Sequence, residues 1–283
     1  MFDRQVKPLR PFDFKIVQEP LTGLLRNVDS DLQRRIKQVE AARDVEQYMQ
    51  LTLLLIMLRV AINSYQAVGF LLTDLDEHPK RLDRFVIVVP PINRQIMDLW
   101  FTVVYLLDDF EPRRIVYEKG AYRELRKVLE ESELRYGTDP EWQDWLEDMR
   151  EFAKMLETQV PLSDEEKRNP SSIPSWPHPH SLSEKPTRSQ DFLKFLDNLL
   201  YGETSVEAHL KPAGLMVVAG IVLSDIAPEH LKRRVEDRSI HQYKFRHLSR
   251  TVITLLGIVS EIEMHCKLGK GFALDIPSGY GSQ

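Results

Sequence analysis

The sequence has a single cysteine, Cys266, in 283 residues. One thiol forms no internal disulfide and no multi-thiolate metal centre, and such a chain suits a reducing interior. It has no surplus of bases either: 38 Lys and Arg against 43 Asp and Glu leave a net charge of −5. That excludes a bulk polycation, so any nucleic-acid contact must come from a local patch. No long apolar run is present. The most apolar stretch, Leu51 to Ile62, is interrupted by Arg59 and followed by Asn63, Ser64 and Gln66. A central arginine costs about 2.5–3.5 kcal/mol on insertion, and the uninterrupted run falls short of the roughly 20 residues a span needs. Residues Met1 to Arg10 lack the apolar core and small-residue cleavage site of a secretory signal. The sequence also lacks a Walker-type loop, a GxGxxG after a strand and a Gly-x-Ser-x-Gly elbow, so it offers no known phosphate cradle or serine nucleophile. The resulting expectation is a cytoplasmic globular protein with no cofactor and no membrane partner.

What is present is helical periodicity over 42% hydrophobic residues, enough for a substantial core. Residues 1–29 read as an extended N-terminal arm. Ser30 or Asp31 is placed to cap a long helix running to about Leu75. The β-branched run Val86 to Val89 is too short to assign as strand or helix by period, so residues 84–89 stay open. Pro90-Pro91 should end that segment and start a helix to about Asp109, since proline suits a first helical turn. Pro112 opens another helix to Tyr136, with Gly120 as a weak point, and Asp139 caps one from Pro140 to Glu157. Residues 161–190 then hold six prolines and seven serines, so 159–188 reads as a long irregular surface loop. Helices resume at Ser189–Tyr201 and Thr204–Leu223. The clearest pattern is Leu248, Val252, Leu255, Val259, Ile262 and Cys266 at 4-3-4-3-4 spacing, followed by a flexible tail over 269–283. The expected fold is all-α: one bundle-like domain of about six to eight helices spanning 30–268.

Four polar groups stand out. Arg94 and Asp98 lie side by side at i, i+4 on a helix that is apolar on both sides. Arg59, with Thr52, Asn63 and Gln66, forms a polar seam through an apolar helix, and burial would demand an acid such as Asp98, Asp108 or Asp109. Tyr201, Ser205 and His209 share one helical face. A buried charge must find a partner on another helix, so Arg94, Asp98, Tyr201 and His209 are expected to converge. They are the candidate catalytic residues, and Arg59, Asn63 and Ser205 join them as a candidate binding groove. The fourth group is a basic segment with interleaved aromatics, in which Lys232, Arg233, Arg234, Arg238, Lys244 and Arg246 suit RNA phosphates. His178 with His180, and Glu261 with His265, do not supply the convergent ligands of a metal site.

The order of these elements resembles a family of bacterial and phage proteins known as a domain of unknown function. The resemblance rests on Arg94 to Asp98, Tyr105-Leu106-Leu107-Asp108, Trp176-Pro177 and Tyr201-Ser205-His209. Asp98 stands where the family pattern has glutamate. The resemblance implies an all-α fold and no particular activity. The chain is also similar to the HEPN helical superfamily, whose metal-independent RNases carry an Arg-x4–6-His motif. Arg234 to His241 matches that spacing, with Val235 where a polar residue is usual and with a helix boundary expected between the two. Two functions follow as expectations. One is a non-catalytic binding or regulatory protein with a protein partner, as monomer or homodimer. The other is a HEPN-like RNase acting on RNA in a toxin or phage-defence setting.

Overall fold

A computed structural model describes residues 14–78, 81–178, 181–182, 184, 190–197, 212 and 229–268. The fold is all-α, and no strand occurs among the described residues. The helices are α1 (Phe14–Ala42), α2 (Val45–Glu77), α3 (Leu82–Asp108), α4 (Phe110–Tyr136), α5 (Gln143–Gln159), α6 (Asp164–Arg168), α7 (Gln190–Leu196) and α8 (Glu229–Cys266). They fall into two compact units, one formed by residues up to Val104 and from Ser189 onward, the other by Tyr105–Arg188.

In the first unit α1 and α2 form a hairpin, and both also pack on α8. Met57 of α2 is buried, as is the series Leu51, Leu54, Leu58, Ala61, Tyr65, Val68, Leu72 and Leu75. The 3-4 alternation of that series is a heptad seam, matched on α1 by Leu21, Leu25, Val28 and Leu32. Of the α8 stripe, Leu248, Leu255, Val259, Ile262 and Cys266 are buried and Val252 is half-buried. By length and composition α2 is also long and apolar enough to cross a membrane.

Three boundaries differ from the sequence expectation. Residues from Phe14 onward are helical, so the segment expected as an extended arm over 1–29 is the first half of α1 from that point. Ser30 and Asp31 therefore lie inside a helix and cap nothing. The long helix is instead broken at Arg43, which adopts φ 58°. Asp44 N–H reaches back to the Val39 carbonyl at 3.2 Å, and the Asp44 carboxylate then caps α2 by accepting from Gln47 N–H at 3.0 Å. This left-handed stop is normally marked by glycine, and here arginine fills it.

The third correction concerns Pro90 and Pro91, which sit inside α3 rather than ending it. Residues 84–89 are its first turns, not a strand. Proline removes two donors, leaving the Val86 and Ile87 carbonyls without intrahelical partners. The helix survives because both its ends are anchored: Val86 and Val89 are buried on one side of the prolines, Ile96 and Met97 on the other.

The second unit is built on the α4–α5 pair, whose core is Leu129, Leu146 and Ala153. Asp139 accepts from Glu141 N–H and starts a 3-10 turn at Pro140 that leads into α5. The described part of the proline-rich stretch holds a short helix, α6, and a 3-10 turn at Pro170–Ser172, and it is anchored. Ser163 and Glu166 close a capping box on α6, Lys119 pairs with Glu166 at 2.8 Å, and Ile173 and Leu182 are buried. Trp176 sets its edge against Tyr117 and Tyr105 at 4.9 and 5.7 Å between centroids. It lies over Gly120, where an added Cβ would meet the Trp176 backbone at 3.4 Å. The expected weak point is thus a close approach.

Candidate functional site

Arg59 does not meet Asp98, Asp108 or Asp109. Its partner is Asp29 of α1, with Nε to Oδ1 at 2.8 Å and the second guanidinium nitrogen to Oδ2 at 3.3 Å. The expectation of a buried arginine fails for a simple geometric reason: position 59 lies off the heptad seam, and its side chain is 50% exposed. Asp29 also accepts from Gln33. The Arg59 hydrogen bond, opposed by partial burial and aided by Gln33, holds the Asp29 carboxyl below its usual range.

This pair stands at one end of an open groove between α1 and α2. Gln18, Thr22, Leu25, Arg26 and Asp29 line it from α1, and Arg59, Ile62, Asn63, Gln66, Phe70 and Thr73 from α2. It encloses about 610 Å³, within the range of small-molecule and side-chain pockets. Thr22 and Thr73 donate to carbonyls one turn back, Gln18 and Gly69. Arg26, Asn63 and Gln66 line the groove and make no side-chain hydrogen bond among the described residues. Phe70, 76% exposed, supplies an apolar wall. Two of the sequence-derived binding residues, Arg59 and Asn63, are therefore brought together, and the α1 half of the site was missed.

Arg94 and Asp98 do pair, with Nε to Oδ1 at 2.9 Å. The Arg94 side chain is 7% exposed and that of Asp98 37% exposed. Burial draws the guanidinium below its usual value, while Asp98 and then Asp197 oppose the shift. Tyr201, Ser205 and His209 lie outside the described residues, as does the convergence expected of them with Arg94 and Asp98. Asp108 pairs with Arg113 at 3.3 Å, and that guanidinium also lies 4.0 Å from the Tyr105 ring centroid.

A buried polar cluster not foreseen from sequence joins α3 to α8. Asn93 Nδ2 donates to His247 Nδ1 at 3.0 Å and lies 3.2 Å from the His247 carbonyl. Thr251 donates to Asn93 Oδ1 at 2.5 Å. Asn93, His247 and Thr251 are each at most 3% exposed. Burial, with Arg250 and Arg246 nearby, pushes His247 down to about 3. The ring is neutral at physiological pH and serves as an acceptor inside the core. The signal was available: Asn93, Met97, Trp100 and Val104 follow 4-3-4 spacing, which puts an amide at a core position.

Of the basic segment, Arg246 is exposed and Lys244 half-buried. Lys232, Arg233, Arg234 and Arg238 lie in α8, with their side chains outside the described residues. Arg234 and His241 lie in one uninterrupted helix, where a boundary between them was expected. Among the described residues no three His, Cys, Asp or Glu side chains group together as metal ligands would. Cys266 is buried, which pushes its thiol up to about 11.

Compared with models of known protein families, with curated proteins and with solved structures, the chain matches none.

Proposed function

We propose that this protein is a non-catalytic binding or regulatory protein whose recognition surface is the α1–α2 groove. The observation that carries this reading is the combination of an open 610 Å³ cleft with the polar side chains of Arg26, Asn63 and Gln66 that line it. Exposed donors fix orientation and specificity, and the Phe70 wall supplies apolar area. The Asp29–Arg59 pair offers a carboxylate and a guanidinium side by side, a polarised surface suited to a charged segment of a protein partner. A cytoplasmic setting goes with this reading, supported by the lone buried cysteine.

The test is site-specific photo-crosslinking. A photoreactive residue at Asn63 should trap one discrete protein in the producing cell, and one at Lys127 should not. Arg59→Ala should abolish that adduct while leaving the fold intact. Equal adducts from both positions would refute the reading.

A HEPN-like RNase is the second reading, favoured by the position of Arg234 and His241 two turns apart on α8. Metal-free cleavage of RNA, lost in both Arg234→Ala and His241→Ala, would establish it in place of the first.

A further inference from the structure

The second unit exposes aromatic side chains along one flank of α5. One face of α5, through Leu146 and Ala153, is buried on α4. Met149 packs on that same core and Leu156 is half-buried, while the adjacent flank of α5 exposes Trp145 and Phe152 one heptad apart, with Trp142 of the preceding 3-10 turn beside them. One heptad is the repeat at which two helices packed side by side meet. Trp142 and Trp145 are each 37% exposed and Phe152 46%. The cluster is held in place: Trp142 stacks on Tyr136 at 4.3 Å, and Trp145 meets the Trp142 edge at 5.7 Å.

Charge identifies the occupant. The border of this flank away from α4 carries Glu141, Asp144, Asp148 and Glu151, all exposed. None of these four carboxylates forms an ion pair among the described residues. Arg150 is committed to Glu133 and Glu147 at 2.8 and 3.2 Å, and Lys154 stands at the edge of the border, one helical turn after its last acid, Glu151. A second copy of this chain would set acid against acid, and an anionic lipid surface or nucleic acid would meet the same repulsion. A lysine- or arginine-bearing helix would instead neutralise the border and place cations over exposed indole faces.

We infer that α5 of the second unit is a docking surface for a basic amphipathic helix of a partner protein, which seats apolar side chains on Trp145 and Phe152 and its bases on Asp144, Asp148 and Glu151. This surface is separate from the α1–α2 groove, so either proposal can fail without the other.

The test uses the full chain and two synthetic peptides of about three heptads each, with leucine at 3-4 spacing. One carries lysine at the flanking positions, the other glutamate. Titration followed by tryptophan emission should show the lysine peptide binding at least about tenfold more tightly. That advantage should shrink as salt rises from about 50 to about 300 mM. The triple variant Asp144→Lys, Asp148→Lys, Glu151→Lys should invert the preference. Trp145→Ala with Phe152→Ala should weaken the lysine peptide at least about tenfold with helicity unchanged. If that double variant unfolds, the charge-reversed variant decides, because its three positions are exposed. Equal affinity for both peptides, or a preference indifferent to charge reversal, would overturn the proposal. So would a homodimer dissolved by Trp145→Ala, which would assign the face to a second copy.

Discussion

Gly257 of α8 lies directly against the indole of Trp100 on α3. A Cβ built on Gly257 would stand 2.1 Å from Trp100 Cζ2 and 2.2 Å from Cε2. The indole is 4% exposed and has no room to withdraw. Glycine here brings two helices of the first unit together and lets the largest side chain of α3 fill the seam.

Gly257→Ala should therefore destabilise the protein by about 1–3 kcal/mol, although alanine is the better helix former. Denaturant unfolding would measure this. Adding Trp100→Leu should recover part of the loss in Gly257→Ala. Its failure to do so would mean the indole is not the obstructing group.

His247 predicts an acid dependence. Its native value of about 3 lies below the roughly 6.5 of an unfolded histidine. Between those values the unfolded chain binds a proton that the native chain refuses. Stability is thus complete above about pH 6.5 and falls as pH drops toward 3, by up to about 1.4 kcal/mol per pH unit from this group. Carboxylates titrate in the lower part of the same window, so the comparison with a variant carries the result. Urea unfolding at a series of pH values should give a shallower slope for His247→Gln than for the native protein between about pH 4 and 6.

Arg43 holds a left-handed conformation, φ 58°, that glycine adopts at no steric cost. Arg43→Gly should raise stability by about 0.5–1 kcal/mol, and thermal unfolding would register it. A fall would show that the arginine side chain does more than tolerate its position.

Arg35 of α1 closes the far end of α8 by donating to the Cys266 carbonyl and, at 2.9 Å, to that of Lys267. Arg35→Ala should cost about 1–2 kcal/mol, because these terminal carbonyls lose a charged donor. Thiol labelling of the native protein should quicken as the helix end frays over Cys266.

Much of the fold was legible wherever apolar spacing spoke alone. The α8 stripe, the end of α4 at Tyr136 and the Asp139 cap all follow from period and local chemistry. The breaks were harder. Arg43 stops a helix in a position where glycine is the usual sign, and Pro90-Pro91 fails to stop one because buried residues on both sides hold it. The groove was half legible for a related reason. Arg59 and Asn63 stood out against an apolar helix, whereas Asp29 and Arg26 lay in a segment read as an extended arm. Partner choice was the least legible feature. A buried Arg59 would need an acid on a distant helix, whereas its side chain is half exposed and reaches Asp29.

The groove account turns most directly on reversing its charge pair. In the double variant Asp29→Arg, Arg59→Asp the ion pair is retained with opposite polarity. An exposed pair contributes about 0–1 kcal/mol, so the melting temperature should stay within about 3 °C of the native value. Crosslinking from Asn63 to the trapped partner should nevertheless fall at least about tenfold, because the groove then presents the wrong sign to its ligand. Undiminished crosslinking by the charge-swapped protein would contradict the account.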